Sequence, residues 1–217
     1  HKLFTVLDPF AGAGTTIIES LKYGASVYWL DYHPLSRLIC RVKTTKFSPV
    51  EIQDEVSKIV KAAESQNFAP NTVNFANKDF WFQKPVQEGL EILREHIQKA
   101  KKTVQAILWL AFASTVRKTS NMNDGMLLAA KRSRIEEIPK RSRADVFKYF
   151  LLYANKAIEA IAEWNSFLIE SIDNSREIHQ YDAKNLEGNW VCDAILTSPP
   201  YINAIDYVWA SKFELHW

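Results

Sequence analysis

The sequence predicts an α/β fold: a mostly parallel sheet, incomplete within this chain, with a large helical insertion. Three observations predict it. A strand, glycine loop, helix and second strand open the chain; a long stretch of helical periodicity follows; and a strongly apolar strand candidate returns near the end. With 217 residues, 47% of them hydrophobic, the chain suits one domain with a substantial core.

Residues 2–8 (KLFTVLD) are apolar, rich in β-branched and aromatic types, and too short for a typical helix, so they read as a buried parallel strand. Residues 15–23 then place Ile17, Ile18 and Leu21 at helical spacing, Gly24 is suited to end that helix, and residues 26–31 (SVYWLD) read as the second strand. Helical patterns dominate from about residue 46 to 176. Segments 51–66 and 86–101 are amphipathic, and 103–116 is apolar enough to be largely buried. Segment 144–172 carries Phe147, Phe150, Leu151, Ala154, Ile158, Ile161 and Leu168 on one broad face. A turn follows at residues 181–183, and residues 191–197 (VCDAILT) read as a third buried strand. The chain begins at His1 and ends at Trp217 without a polar tail, and it reads as a fragment forming a single domain over 1–217.

Composition narrows the function. The formal net charge is +2, so any nucleic-acid surface must be a local patch. Cys40 and Cys192 lie far apart in apolar surroundings, which fits free thiols and a reducing, cytoplasmic setting better than a disulfide framework. No apolar run approaches the roughly 20 residues that cross a bilayer, and the N-terminus is not a signal peptide, so no membrane partner is expected. The five histidines lack ligand spacing, and no structural zinc is expected. Trp29, Trp81, Trp109 and Trp164 sit in apolar or helical surroundings and read as core.

Two motifs carry chemistry. Asp8-Pro9-Phe10-Ala11-Gly12-Ala13-Gly14-Thr15-Thr16 joins a strand to a helix, where glycines let a ligand approach the backbone and the helix N-terminus offers N–H groups to an anion. A tight turn without a ligand is the plainer reading. Asp31 ends the next strand, at the spacing from which an acid reaches ribose hydroxyls in nucleotide-binding βαβ units, although it equally suits the N-cap of a helix starting near Pro34. The second motif, Thr197-Ser198-Pro199-Pro200-Tyr201, follows the third strand. Adjacent prolines fix the main chain and remove N–H donors, leaving carbonyl oxygens and a rigidly placed ring, a geometry suited to an amine or simply to a proline-rich exit.

Together DPFAGAGTT and TSPPY resemble the amino-methylating DNA methyltransferases, which methylate cytosine N4 or adenine N6 with S-adenosylmethionine on a Rossmann-like sheet. The resemblance covers residues 1–45 and 177–217, and the cofactor loop precedes SPPY, the reverse of the order in many members. It implies that Asp8, Phe10, Gly12, Gly14, Thr15 and Thr16 bind the methionine end of the cofactor, that Asp31 holds the ribose, and that Asp182 lies near the adenine. Ser198, Pro199, Pro200 and Tyr201 match the catalytic tetrapeptide, with Ser at its first position leaning toward cytosine N4. Methylation at carbon 5 is disfavoured because neither cysteine neighbours the proline pair. DNA is the implied partner, and Lys131, Arg132, Arg134, Lys140, Arg141 and Arg143 are the candidates for its phosphates, a solvated charged loop being the plainer reading. The rivals are an RNA methyltransferase, and a non-catalytic or split half that needs a second chain or a missing segment to complete its sheet.

Overall fold

The computed structural model describes residues 4–67, 71–123, 138–167, 172–179, 181–188, 190–201 and 207–217. The chain divides into two compact units, residues 1–46 with 162–205 and residues 47–161 with 206–217, so the helical insertion forms most of a unit of its own.

The first unit is α/β and Rossmann-like. Strands β1 (Thr5–Asp8), β2 (Ser26–Trp29), β3 (Ser175–Glu177) and β4 (Ala194–Ile195) form one sheet in the order β3-β2-β1-β4, and every neighbouring pair is parallel. Helices α1 (Thr15–Lys22) and α2 (Pro34–Lys43) make the crossovers among the first strands. Alternation along β2 sorts the core. Val27 and Trp29 pack with Ala11, Ile17, Leu21 and Cys40, while Leu7 and Leu30 pack with Ile178 against Tyr28, Ala183, Leu186 and Cys192. Local chemistry sets the ends: Gly24 terminates α1 at φ 73°, and Pro34 starts α2 behind His33.

Two expectations change here. β3 carries the polar sequence Ser-Arg-Glu and is fixed by distant partners, the Trp29 indole donating to Ser175 Oγ at 2.9 Å and Ile178 N–H to the Trp29 carbonyl at 2.7 Å. The strand expected over 191–197 pairs through only two residues, and Ile195 and Leu196 are 60% and 50% exposed rather than buried. Among the described residues it is an outer strand, with β1 on one side only, and its apolar side chains stay exposed.

The second unit is helical: α3 (Pro49–Ser65), α4 (Lys78–Trp81), α5 (Lys84–Lys99), α6 (Lys102–Thr119), α7 (Arg143–Phe167, whose last turns belong to the first unit), α8 (Tyr207–Ala210) and α9 (Lys212–His216). Ser48 caps α3, its hydroxyl accepting from Glu51 N–H at 3.3 Å. Buried positions on α6 recur three and four apart, Val104, Ile107, Leu108, Ala111, Phe112, Thr115, Val116 and Thr119, so this helix is the spine against which α3, α5 and α9 pack. On α7, Phe147, Phe150, Ala154 and Ile161 are buried as expected, Leu151 and Ile158 are half-buried, and Leu168 lies outside the described residues. No described helix is long and apolar enough to cross a membrane. Both cysteines are free thiols, Cys40 buried and Cys192 half-buried.

One polar pair is deep in this unit. Lys78 Nζ lies 2.5 Å from Glu91 Oε1, which also accepts the Val73 N–H at 3.0 Å, and the two side chains are 10% and 5% exposed. Breaking a buried pair strands a charge, so Lys78→Met should lower unfolding stability by about 3–5 kcal/mol. Lys84→Met, which breaks the exposed pair with Asp79, should leave the urea midpoint unchanged in the same experiment.

Candidate active site

The carboxyl edge of the sheet in the first unit gathers the predicted residues. Asp8 closes β1 and is 2% exposed. Its Oδ1 accepts the Phe10 N–H at 3.1 Å and its carboxylate accepts a hydrogen bond from the Thr16 side chain. Burial pushes the Asp8 carboxyl above its ordinary value, the two hydrogen bonds work against that rise, and the Asp31 charge adds to it.

From Asp8 the loop folds back on the second strand. Ala11 N–H donates to the Leu30 carbonyl at 3.0 Å, Gly14 N–H to the Ala11 carbonyl at 2.7 Å, and Gly12 N–H to Asp31 Oδ2 at 2.8 Å. Gly12 and Gly14 sit at φ 53° and 79°, in the left-handed region that glycine enters without a Cβ penalty. Gly14 also caps α1 without any side-chain hydrogen bond, so the first-turn N–H groups of this helix are donors available to an anionic group. Thr15 is exposed, and Phe10 and Thr16 are half-buried. From α2, the Cys40 thiol reaches the Gly12 carbonyl at 3.5 Å and Lys43 Nζ donates to the Ala13 carbonyl at 2.6 Å. Burial lifts the Cys40 thiol to about 12, so it packs as an inert side chain.

Asp31 ties two loops together. Its Oδ2 takes Gly12 N–H and its Oδ1 takes His33 N–H at 2.7 Å. The cap of α2 is His33, whose Nδ1 accepts from Leu35 N–H at 3.2 Å, so Asp31 is not that cap. Desolvation lowers the His33 value, in keeping with a ring whose Nδ1 accepts. At the end of β3, Arg41 grips Glu177 with two hydrogen bonds of 2.6 and 2.7 Å, and just past it the Arg37 guanidinium lies 3.8 Å from the centroid of Tyr181. These contacts hold the segment that carries Asp182, which caps a short 3-10 turn by accepting from Lys184 N–H at 3.0 Å. Sequence reasoning missed Arg37, Arg41, Lys43 and Glu177. The i,i+4 spacing of the two arginines on α2 was a readable signal; nothing local marked Glu177.

The SPPY segment arrives from the other side. Val6 pairs with Ala194 and Leu7 with Ile195, and Leu196 N–H donates to the Leu7 carbonyl at 3.0 Å. Because β1 and β4 are adjacent and parallel, residues 197–201 and the loop after Asp8 leave the sheet at the same end. Ser198, Pro199 and Pro200 are exposed, and Tyr201 is 69% exposed. β1 is also where the strand order reverses, with β2 and β3 to one side and β4 to the other, and ligands of open α/β sheets bind in such crevices.

The basic residues fare differently. Lys131, Arg132 and Arg134 lie outside the described residues, Lys140 is exposed and Arg143 is half-buried at the start of α7. Arg141 turns inward: it is buried, its Nη1 donates to the Ser120 carbonyl at 2.7 Å and its N–H to Gln83 Oε1 at 3.2 Å, so it braces the helical unit instead of meeting phosphate.

No protein-family model and no solved structure matches the chain. Among curated proteins it is similar to the Type II methyltransferase M.MvaI of Kocuria varians, 30% identical over 123 residues. That match takes in 52% of this chain and 27% of the relative, so the chain spans about a quarter of that protein's length.

The loop generates two predictions. Gly24→Ala meets nothing within 4 Å and should cost about 1–2 kcal/mol for its left-handed backbone alone. Gly14→Ala should cost more, because its Cβ stands 3.2 Å from Cys40 Sγ, and the excess should vanish in a Cys40→Ala background when unfolding is followed in urea. The second concerns pH. With its folded value raised, Asp8 favours the folded state at acid pH, and that contribution is lost as pH rises through the ordinary aspartate range to the raised folded value. Asp8→Asn should therefore gain on the parent in thermal midpoint as pH rises from acid to neutral, and match or exceed it at pH 7.

Proposed function

We propose that this chain is the cofactor-binding and catalytic part of an S-adenosylmethionine-dependent DNA methyltransferase acting on the exocyclic amino group of a base, with cytosine N4 preferred. The observation that carries this reading is the exit of the glycine loop and the SPPY segment side by side from adjacent parallel strands at the reversal point of the sheet. The similarity to a Type II methyltransferase supports it.

The donor set suits that cofactor. An uncapped helix N-terminus fits a carboxylate, and two acids, Asp8 and Asp31, favour a ligand carrying positive charge. Asp31 retains lone pairs beyond those engaged by Gly12 and His33, enough to accept from ribose hydroxyls, and Asp182 stands toward the adenine end. Phe10, Thr15 and Thr16 line the methionine end. When bound, S-adenosylmethionine supplies an electrophilic methyl group on a good leaving group.

The chain's own residues prepare the nucleophile. An exocyclic amino nitrogen is weakly nucleophilic while its lone pair is delocalised into the ring. The Ser198 hydroxyl and Pro199 carbonyl accept its hydrogen bonds and favour the pyramidal form, aligning the lone pair for in-line transfer. Pro200 keeps the turn rigid, and Tyr201, already exposed, stacks on a base drawn out of the duplex. No strong general base is required, because the amino nitrogen turns cationic on accepting the methyl group and readily releases a proton to water. Lys140 and Arg143, with Lys131, Arg132 and Arg134, contact phosphate. Exposed Ile195 and Leu196 favour a second reading, in which another chain or segment covers β4 before the site works.

Calorimetric titration of S-adenosylmethionine into the parent should show binding, and Gly12→Asp, which sets a third carboxylate beside Asp8 and Asp31, should abolish it. Ser198→Ala should keep the cofactor yet lose at least tenfold in methyl transfer to DNA, with N4-methylcytosine as the nucleoside released on digestion. A folded parent that binds no cofactor would overturn this reading.

A further inference from the structure

The helical unit holds an aromatic cavity of about 360 Å³ that the methyltransferase reading does not use. Its floor is Trp81, packed edge-on against Phe213 at 5.0 Å and Phe80 at 4.8 Å between ring centroids. One wall is Phe75 stacked on His216 at 4.7 Å with only 2° between the rings. At the mouth stand Phe80 and Trp209, 47% and 45% exposed.

Two features set this cavity apart from a gap in the core. The first is Lys212, whose Nζ lies 3.5 Å from the Trp209 centroid and 3.9 Å from that of Trp81. Among the described residues it has no carboxylate partner, only ring faces, and burial pulls its value below that of an ordinary lysine. A partly desolvated cation of this kind gains from an anion placed at the rim. The second is Asn77, a non-glycine residue at φ 61° whose side chain does not cap the helix it precedes. Asparagine enters this conformation readily, and Asn77 lines the cavity. The cavity therefore offers ring faces, an amide able both to donate and to accept, and one positive charge.

We propose that this cavity is a second nucleic-acid site, in which the Lys212 ammonium leaves the faces of Trp209 and Trp81 to pair with a phosphate and one unpaired nucleobase takes its place against the rings. A base supplies flat π faces to the tryptophans and a polar edge to Asn77, and its backbone supplies the anion. An apolar ligand would leave Lys212 unpaired and Asn77 unused. The proposal rests on the reading of this chain as a protein that acts on nucleic acid.

The test is fluorescence anisotropy of a short labelled single-stranded oligodeoxynucleotide titrated with the full chain. Trp209→Ala should weaken binding about tenfold, since stacking of one base on an aromatic ring accounts for that much or more. Lys212→Gln should weaken it and flatten the salt dependence by about 0.7 in log–log slope, the loss of one phosphate contact on a single strand. Both variants should keep the parent's affinity for S-adenosylmethionine, which reports on the first unit. Variants that bind the oligonucleotide as tightly as the parent, or a parent that binds none, would overturn the proposal. Loss of oligonucleotide binding in the variants of a parent that takes no S-adenosylmethionine would leave the cavity assigned and remove the methyltransferase reading alone.

Discussion

Everything at the candidate site hangs on the pairing of β1 with strands on both its sides. Four residues of β1 pair with β2 and two with β4, so this one strand delivers Asp8 into the gap between Asp31 and the SPPY segment. The β4 side is the weaker joint, and it is pinned by a reciprocal contact: Thr5 N–H donates to Asp193 Oδ2 and Asp193 N–H to the Thr5 carbonyl, each at 2.8 Å. A slip of one residue there would move Ser198 by about 3.3 Å along the sheet and reverse which side chains face which way. A short strand thus suffices, provided that its register is fixed at the end away from the chemistry.

Electrostatics at the same edge runs against stability. Asp8 is buried beside Asp31, and both burial and the neighbouring charge oppose its ionisation. A fold selected for stability alone has no use for two acids in that arrangement; a fold that receives a positively charged ligand does. The structure offsets part of the cost locally, with Phe10 and Thr16 at Asp8 and with Gly12 and His33 at Asp31. The same bonds shape the loop. Its glycines are needed because the backbone must turn left-handed to bring those N–H groups onto the carboxylates.

What was legible in the sequence follows from how local each signal is. The glycine loop, α1, β2 and the four long helices carry their own periodicity or punctuation, and they stand where the sequence puts them. β3 was illegible because Ser-Arg-Glu contains no apolar pattern, and its place depends on Trp29 and Arg41, more than 130 residues away in the chain. The apolar run ending in β4 was readable as a strand but not as an outer one, since periodicity reports what a segment can bury and not what covers it. Arg141 fails for the mirror-image reason: a run of charge looks the same whether its members face solvent or, as here, a carbonyl in the core.

Trp81 shows the limit most clearly. The sequence reads it as core, and at 8% exposure it is core, yet it is also the floor of a cavity. The two descriptions agree because a ring has two faces and burial averages over them. What decides the matter is Lys212, which reaches the ring only after the last helices fold back onto α6, through Arg117 donating to the Ala210 carbonyl at 2.7 Å and the packing of α9. Residues 75–82 and 207–217 form no pattern together in sequence, and only tertiary contact makes a site of them. A buried aromatic residue is therefore a candidate for binding when a cation without a carboxylate partner lies over its face, and core when only carbon does.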